Sequence, residues 1–173
     1  MTSSEIKIVQ YKKLIADIKT DAETVRALAT NISELADQIR AYDGEIPQSD
    51  LMLCAAYLHH FYTGIEAIFG RISRIFDGGV HPSGDYHREL LRSMTIGIPT
   101  VRPAIISSEF AEELDEYRRF RHMFRHAYGS ELRWRKMEPL ALDVLRVMQQ
   151  LENSIASTID FTQELIEALE TKA

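Results

Sequence analysis

The sequence predicts an all-α protein, an antiparallel helical bundle with about five helices, two of them long. Apolar residues recur at steps of three and four along most of the chain, which is the period of an amphipathic helix. No segment alternates apolar and polar residues as a half-buried strand would. Of the 173 residues, 45% are hydrophobic and 27% are charged, a balance that fits one domain over residues 1–173 with its own core.

The first two helices are predicted over residues 5–42 and 50–76. In the first, apolar side chains repeat on one face, and the pattern stops just before Gly44. Ser49 is expected to cap the second helix, because a serine oxygen can accept hydrogen bonds from the unpaired amides of a first turn. The second helix is apolar enough to be the central one, although the charge of Glu66 and of two arginines excludes it from a lipid bilayer.

The middle of the chain contains the elements that interrupt the long helices. Residues 77–85 include four glycine or proline positions and therefore predict a loop. A short helix is expected over residues 87–94. One glycine and two prolines then break regular structure through residues 95–105, which we expect to wrap around the bundle in extended form.

The last two helices follow this extended segment. The fourth is predicted to begin after Ser107 or Ser108, with acidic residues in its first turns where the helix dipole favours negative charge, and to end near Gly129. The fifth is predicted to begin near Pro139, because proline suits a first helical turn, and to reach about Glu170. Five helices, two of them long, without an alternating strand pattern indicate an antiparallel bundle.

The beginning of the chain and its one cysteine bear on where the protein functions. Charged residues occur in every turn of the first 30 residues, so we expect no signal peptide, no membrane span and a cytoplasmic protein. Cys54, the single cysteine, lies in an apolar run. It is therefore expected to be a small buried side chain rather than a reactive thiol.

The charge distribution favours contact with an anion at one place on the chain. The net charge of −6 is unfavourable for nucleic-acid binding, which depends largely on phosphate contacts. Between Arg118 and Lys136, however, seven basic residues stand against the single acid Glu131, so this stretch carries +6 and the rest −12. Such a basic island can attract phosphate. The alternative is an exposed helix face whose charges are only solvated.

The candidate chemistry lies within this island, in the segment RRFRHMFRHAY. On an ideal helix Arg121, Arg125 and Tyr128 lie within about 60° of one another. His122 and His126 form a neighbouring pair. Arginine offers a permanently charged fork for phosphate, and histidine exchanges protons near neutral pH. Together they could cleave an RNA phosphodiester without a metal ion, the imidazole moving protons and the guanidinium stabilising charge on phosphorus.

One feature of the spacing needs an additional explanation. Arg121 and His126 are five residues apart, which places them about 140° apart on an ideal helix. Three arrangements could bring them together: a loosened helix end, a long arginine that reaches round, or two copies of the chain that complete one cleft. We favour the third, a homodimer.

The motif resembles that of the HEPN superfamily, helical bundles in which arginine precedes histidine by four to six residues and is often followed by a polar residue. Arg121 is followed here by His122, and His126 with Tyr128 completes the R-x4-H-x-Y form of HepT toxins. The arginine and histidine alone are expected by chance in about half of chains of this composition, whereas adding the tyrosine lowers the expectation to about 0.02. The three-residue form is therefore the informative one. The general pattern extends over about residues 5–170.

This resemblance implies a HEPN-like bundle and a metal-independent endoribonuclease that acts on tRNA or mRNA and is toxic when free. It assigns catalysis to Arg121 and His126. Beside them, Arg118, His122 and Arg125 are expected to bind RNA phosphate. Neither a metal ion nor a cofactor is expected.

The resemblance also implies a partner protein. HepT-like toxins are encoded beside a minimal nucleotidyltransferase antitoxin of the MntA type, in a module of type VII character, which transfers AMP onto the motif tyrosine. In this chain that tyrosine is Tyr128. An added nucleotide would place negative charge and bulk beside Arg121 and obstruct the RNA phosphate.

Other functions stay open at this point. The chain could be a non-catalytic HEPN adaptor that binds a nucleotidyltransferase or a nucleotide, or a helical interaction protein with an accidental motif. The remaining histidines favour neither. His59 and His60 are expected to be packing or surface residues, and His81 and His87 flank a glycine-rich loop without the cysteines or clustered carboxylates of a metal site.

Overall fold

The computed structural model describes residues 2–80, 84–126 and 132–171. Five helices lie within these ranges, which confirms the all-α class. Among the described residues, no helix combines the length and the apolar character that a membrane crossing requires. The helices are α1 (Ser3–Arg40), α2 (Gln48–Phe76), α3 (Tyr86–Met94), α4 (Ser108–His126) and α5 (Trp134–Glu170).

Helix α1 runs antiparallel to both α2 and α5. Lys12, near the start of α1, forms an ion pair of 3.0 Å with Glu170 at the end of α5. Its neighbour Tyr11 stacks on Phe76 at the end of α2, with ring centroids 5.7 Å apart. The apolar stripe of α1 is buried along its length, because it faces α2 and α5 at once.

Helix α4 completes the bundle on the opposite side, antiparallel to α2 and α5. Near its end, Phe124 packs against His59 of α2, with ring centroids 5.4 Å apart. In its middle, the Tyr117 hydroxyl donates a hydrogen bond of 2.8 Å to the Leu140 carbonyl near the start of α5. The short α3 lies against α2 and α4. The predicted antiparallel bundle is thereby confirmed.

The starts of α2 and α4 differ in how well they were predicted. Helix α4 begins after Ser107, as predicted, and Ser107 caps it, since its hydroxyl accepts the Phe110 amide at 3.1 Å. The prediction that Ser49 caps α2 is wrong, because α2 begins earlier and Ser49 lies within its first turn. The Pro47 carbonyl accepts the Leu51 amide at 3.2 Å, so the helix already starts from this proline.

Helix α5 begins at Trp134, five residues before the predicted start near Pro139. Pro139 lies inside the helix, where it removes one intrahelical hydrogen bond because it has no N–H. Met137, fully buried, lies in the added turn, and Trp134 packs against the core. Burial of these two side chains opposes the cost of the proline.

The segment between α3 and α4 is tied to the end of α2 rather than extended throughout. A β-bridge joins Ile98 to Arg102, and Thr100 between them adopts a φ of 62°. The side chain of Arg102 is fully buried and donates to both carboxylate oxygens of Asp77, at 2.7 and 2.6 Å. It also donates to three nearby backbone carbonyls. This arginine therefore fixes the segment that leads into α4.

Candidate active site

The motif helix α4 presents one apolar face to the bundle. Its buried residues are spaced three or four apart, as an amphipathic helix requires, and the stripe ends with Tyr117 and Phe120. Arg121 follows directly after Phe120, so its side chain leaves the helix at the edge of the interface with α2. The hydrophobic pattern of α4 thus determines that this arginine faces its neighbour rather than open solvent.

Arg121 is anchored by α2 through one nitrogen. Its Nε donates a hydrogen bond of 3.1 Å to the Thr63 hydroxyl and lies 3.4 Å from Oε2 of Glu66. The Arg121 side chain is 11% exposed and that of Glu66 is 8% exposed. Within the described ranges, the two Nη groups of Arg121 have no hydrogen-bond partner. They are the groups of the fork that remain able to bind a phosphate oxygen.

The Glu66 carboxylate joins three helices. Its Oε1 lies 2.7 Å from Nδ1 of His87 in α3, although neither atom has a partner with hydrogen-bond geometry in the described part of the chain. Burial raises the pKa of Glu66, and the nearby Arg121, His87 and Arg118 act in the opposite direction. A buried carboxylate beside two arginines and an imidazole is thus the centre of the electrostatics here.

The predicted imidazole pair is present on the outer side of α4. His122 and His126 are both exposed, and their ring centroids are 4.8 Å apart. Arg125, also exposed, forms no ion pair with any described residue. No contact joins Arg121 to His126 in the described part of the chain, in keeping with their five-residue separation. The motif therefore divides into an anchored guanidinium and a solvent-exposed imidazole pair.

Part of the basic island is neutralised by acids just before it. Arg118 lies 2.5 Å from Asp115, and Arg119 lies 2.7 Å from Asp115 and 3.2 Å from Glu116. Burial raises the pKa of Asp115, but the two arginines together outweigh it and hold that pKa below its usual range. Arg118, predicted to bind phosphate, is thus already engaged with a carboxylate.

Several residues of this site were not identified from the sequence. Thr63, Glu66 and His87 take part through contacts between helices, which no local motif reveals. His59 was expected to be a packing or surface residue, and it does pack on Phe124. Burial lowers the pKa of His59, and Arg121, His60 and Arg125 lower it further, so this imidazole belongs to the surroundings of the motif. The spacing of 59, 63 and 66 along α2 was the available signal.

Tyr128, the predicted modification target, lies outside the described residues, and so does His81. Within the described ranges, no three histidine, cysteine or acidic side chains cluster as a metal site requires. Cys54 is fully buried as expected, and burial raises the pKa of its thiol to about 12.

The described residues define an all-helical bundle that carries the arginine and the histidine of the motif on α4. A family model described as "HepT-like protein" matches residues 53–162, which is more than half of the chain. The protein therefore belongs to the HepT-like family. The matched residues include Arg121, His126 and Tyr128, as well as Glu66 and His87. No curated protein and no solved structure matches the chain.

Proposed function

We propose that this protein is the metal-independent endoribonuclease toxin of a toxin–antitoxin module, and that it cleaves tRNA or mRNA. The proposal rests on one observation. A short stretch of α4 contains both an anchored arginine and two exposed histidines. Arg121 is held through Nε with its Nη groups still available, and two exposed imidazoles follow on the same helix. Membership of the HepT-like family supports this assignment.

The proposed reaction is an internal transesterification. His126 accepts the proton of the ribose 2′-hydroxyl, and that oxygen attacks the adjacent phosphorus. The bond from phosphorus to the 5′-oxygen breaks, which leaves a 2′,3′-cyclic phosphate and a 5′-hydroxyl. The leaving oxygen takes its proton from an imidazolium, for which His122 is the neighbouring group. Arg121 stabilises the negative charge that develops on the phosphoryl oxygens, while the exposed Arg125 assists in binding the strand.

The proposed antitoxin is a nucleotidyltransferase that modifies Tyr128. The tyrosine oxygen would attack the α-phosphorus of ATP, so that AMP becomes attached and pyrophosphate leaves. The added phosphodiester carries negative charge two residues after His126, close in sequence to the basic side chains that bind RNA. Modification would therefore block the strand without unfolding the bundle.

Cleavage of RNA by the purified protein tests the catalytic assignment. We expect the wild type to cut tRNA or mRNA in the presence of EDTA. The variants His126→Ala and Arg121→Ala should each lower the rate by about 100-fold or more, since they remove the general base and the transition-state cation. His60→Ala, which removes another exposed imidazole, is the matched control and should cut at the wild-type rate. Undiminished cleavage by His126→Ala contradicts the assignment.

A second candidate function is a non-catalytic adaptor that binds a nucleotidyltransferase or a nucleotide. One observation favours it: the Arg121 side chain is largely buried and already contacts Thr63 and Glu66. Such a protein would cut no RNA, and its expression without a partner would not slow growth. Growth arrest that depends on His126 excludes the adaptor.

A further inference from the structure

The strongest feature outside the motif is the buried carboxylate of Glu66. Burying a charge is costly, and the cost is offset only when its partners are well placed. Here one carboxylate oxygen lies 3.4 Å from Nε of Arg121 and the other lies 2.7 Å from Nδ1 of His87. The groups that face this carboxylate are Arg121 and Arg118 from α4, His87 from α3 and Tyr62 from its own helix.

The geometry of the arginine contact suggests what the carboxylate does. A carboxylate that served only to pair with arginine would usually accept hydrogen bonds from two nitrogens of the guanidinium. Glu66 instead lies beside Nε, together with the Thr63 hydroxyl at 3.1 Å. Contacts at Nε restrict rotation of the guanidinium plane. The N–H groups of both Nη atoms can still donate to a ligand. An arginine held in this way loses less conformational freedom when it binds a phosphate.

We infer that Glu66 is a positioning residue: its carboxylate, supported by Thr63 and His87, orients the Arg121 guanidinium so that both Nη groups can bind one RNA phosphate. This inference rests on the proposed ribonuclease function. It connects the motif on α4 to α2 and α3, which the R-x4-H-x-Y spacing does not include. Thr63 belongs to the same arrangement, because its hydroxyl donates to the His59 carbonyl at 2.8 Å and so presents its oxygen to Arg121.

The kinetic test replaces the carboxylate by an amide of the same shape. Glu66→Gln should lower kcat by about 10- to 100-fold with KM changed less than about threefold, the range seen when a supporting group of a site is removed. Thr63→Val should also lower kcat, by a smaller factor. It serves as the second variant if Glu66→Gln folds poorly. Wild-type kcat in both variants overturns the inference.

Asp21→Asn is the matched control for loss of a partly buried carboxylate. Asp21 lies in α1 and forms an ion pair of 2.6 Å with Arg71 of α2. The variant should lose a comparable contact between helices and retain the wild-type kcat. An equal loss of kcat in Asp21→Asn would mean that any weakened ion pair lowers activity, and the positioning role would be rejected.

A readout that does not depend on RNA cleavage separates this inference from the proposed function. In protein labelled with ¹⁵N-arginine, the Nε–H signal of Arg121 is identified by its absence in Arg121→Lys. Exchange of this proton with water should be slowed in the wild type and faster by about tenfold or more in Glu66→Gln, since the guanidinium loses the carboxylate charge that holds its Nε–H beside the Thr63 hydroxyl. Asp21→Asn should change the Arg71 signal instead.

The outcomes are distinct. Equal exchange at Arg121 in the wild type and in Glu66→Gln overturns the positioning role, whether or not RNA is cut. Slowed exchange together with a kcat loss in Glu66→Gln supports it. If exchange is slowed in the wild type but the wild type cuts no RNA, the proposed function is overturned. The role of Glu66 in cleavage is then overturned as well, whereas the contact between Glu66 and Arg121 is supported.

Discussion

Glu66 is the side chain whose ionisation opposes folding most clearly at this site. Burial raises its pKa above the ordinary value, even with Arg121, His87 and Arg118 nearby. The folded chain therefore holds this proton more tightly than the unfolded chain does. The stability that Glu66 contributes is fully present below its unfolded pKa of about 4.3 and is lost as pH rises through the folded value.

This linkage predicts a pH-dependent effect of Glu66→Gln on stability. The free energy of unfolding of the variant, relative to the wild type, should increase as pH rises from 4.5 to 8, because the amide cannot ionise. Urea unfolding at the two pH values measures this difference. A relative stability that stays constant or decreases over this range contradicts the pKa direction at Glu66.

Asp115→Asn serves as a control of opposite sign. The pKa of Asp115 is held below its ordinary value by Arg118 and Arg119, so its contribution is present above the unfolded pKa and is lost as pH falls through the folded one. The variant should be less stable than the wild type throughout the range from pH 5 to 8, with little change across it. Ionisation of Glu66 thus opposes folding, whereas ionisation of Asp115 stabilises the folded chain.

Close packing between helices has its clearest consequence at Gly64. A Cβ atom added to Gly64 in α2 would lie 2.5 Å from Cγ2 of Val25 in α1. Val25 is fully buried and β-branched, so it has little freedom to move away. Gly64 is therefore the point at which α1 and α2 approach each other closely.

We expect Gly64→Ala to destabilise the protein by about 1–3 kcal/mol, the usual cost of overpacking, in spite of the higher helix propensity of alanine. Gly70→Ala in the same helix is the matched control. A Cβ there meets its nearest atom, the Tyr86 hydroxyl, at 3.6 Å, an ordinary contact. This variant should be stabilised by about 0.5–1 kcal/mol. Thermal or urea unfolding measures both, and equal effects would contradict the packing explanation.

The helices were predictable because their signals are local. Apolar periodicity, together with the glycine, proline and serine positions between helices, located the five helices, and the start of α4 after Ser107 was predicted correctly. The Ser49 cap and the start of α5 near Pro139 were wrong, since each helix begins before the residue with the local preference, at Gln48 in α2 and at Trp134 in α5. At α5, burial of Met137 outweighs that preference.

The candidate site was only partly predictable for a related reason. The pairing of His122 with His126 follows from their spacing on one helix. The anchoring of Arg121 does not, because Thr63, Glu66 and His87 reach it from two other helices. The charge of the basic island was overestimated for a local reason, since the acids that neutralise Arg118 and Arg119 lie on the same helix just before the counted stretch.

At the scale of the whole molecule, the separation of the two proposed catalytic groups is the main consideration. Arg121 faces α2, whereas His126 is exposed, and no described contact joins them. A second copy of the chain could supply the missing half of each site, as a symmetric dimer brings the same surface of both copies together. We therefore expect a homodimer whose cleft uses Arg121 of one copy and His126 of the other.

Mixing two inactive variants tests this arrangement. When Arg121→Ala and His126→Ala are co-expressed, half of randomly formed dimers combine both chains, and each such dimer retains one intact site of two. The mixture should therefore cut RNA at roughly a quarter of the wild-type rate, although each variant alone is inactive. Native mass spectrometry verifies that mixed dimers form. If they do form and activity stays at the level of the separate variants, Arg121 and His126 of the same chain must act together, and the shared cleft is rejected.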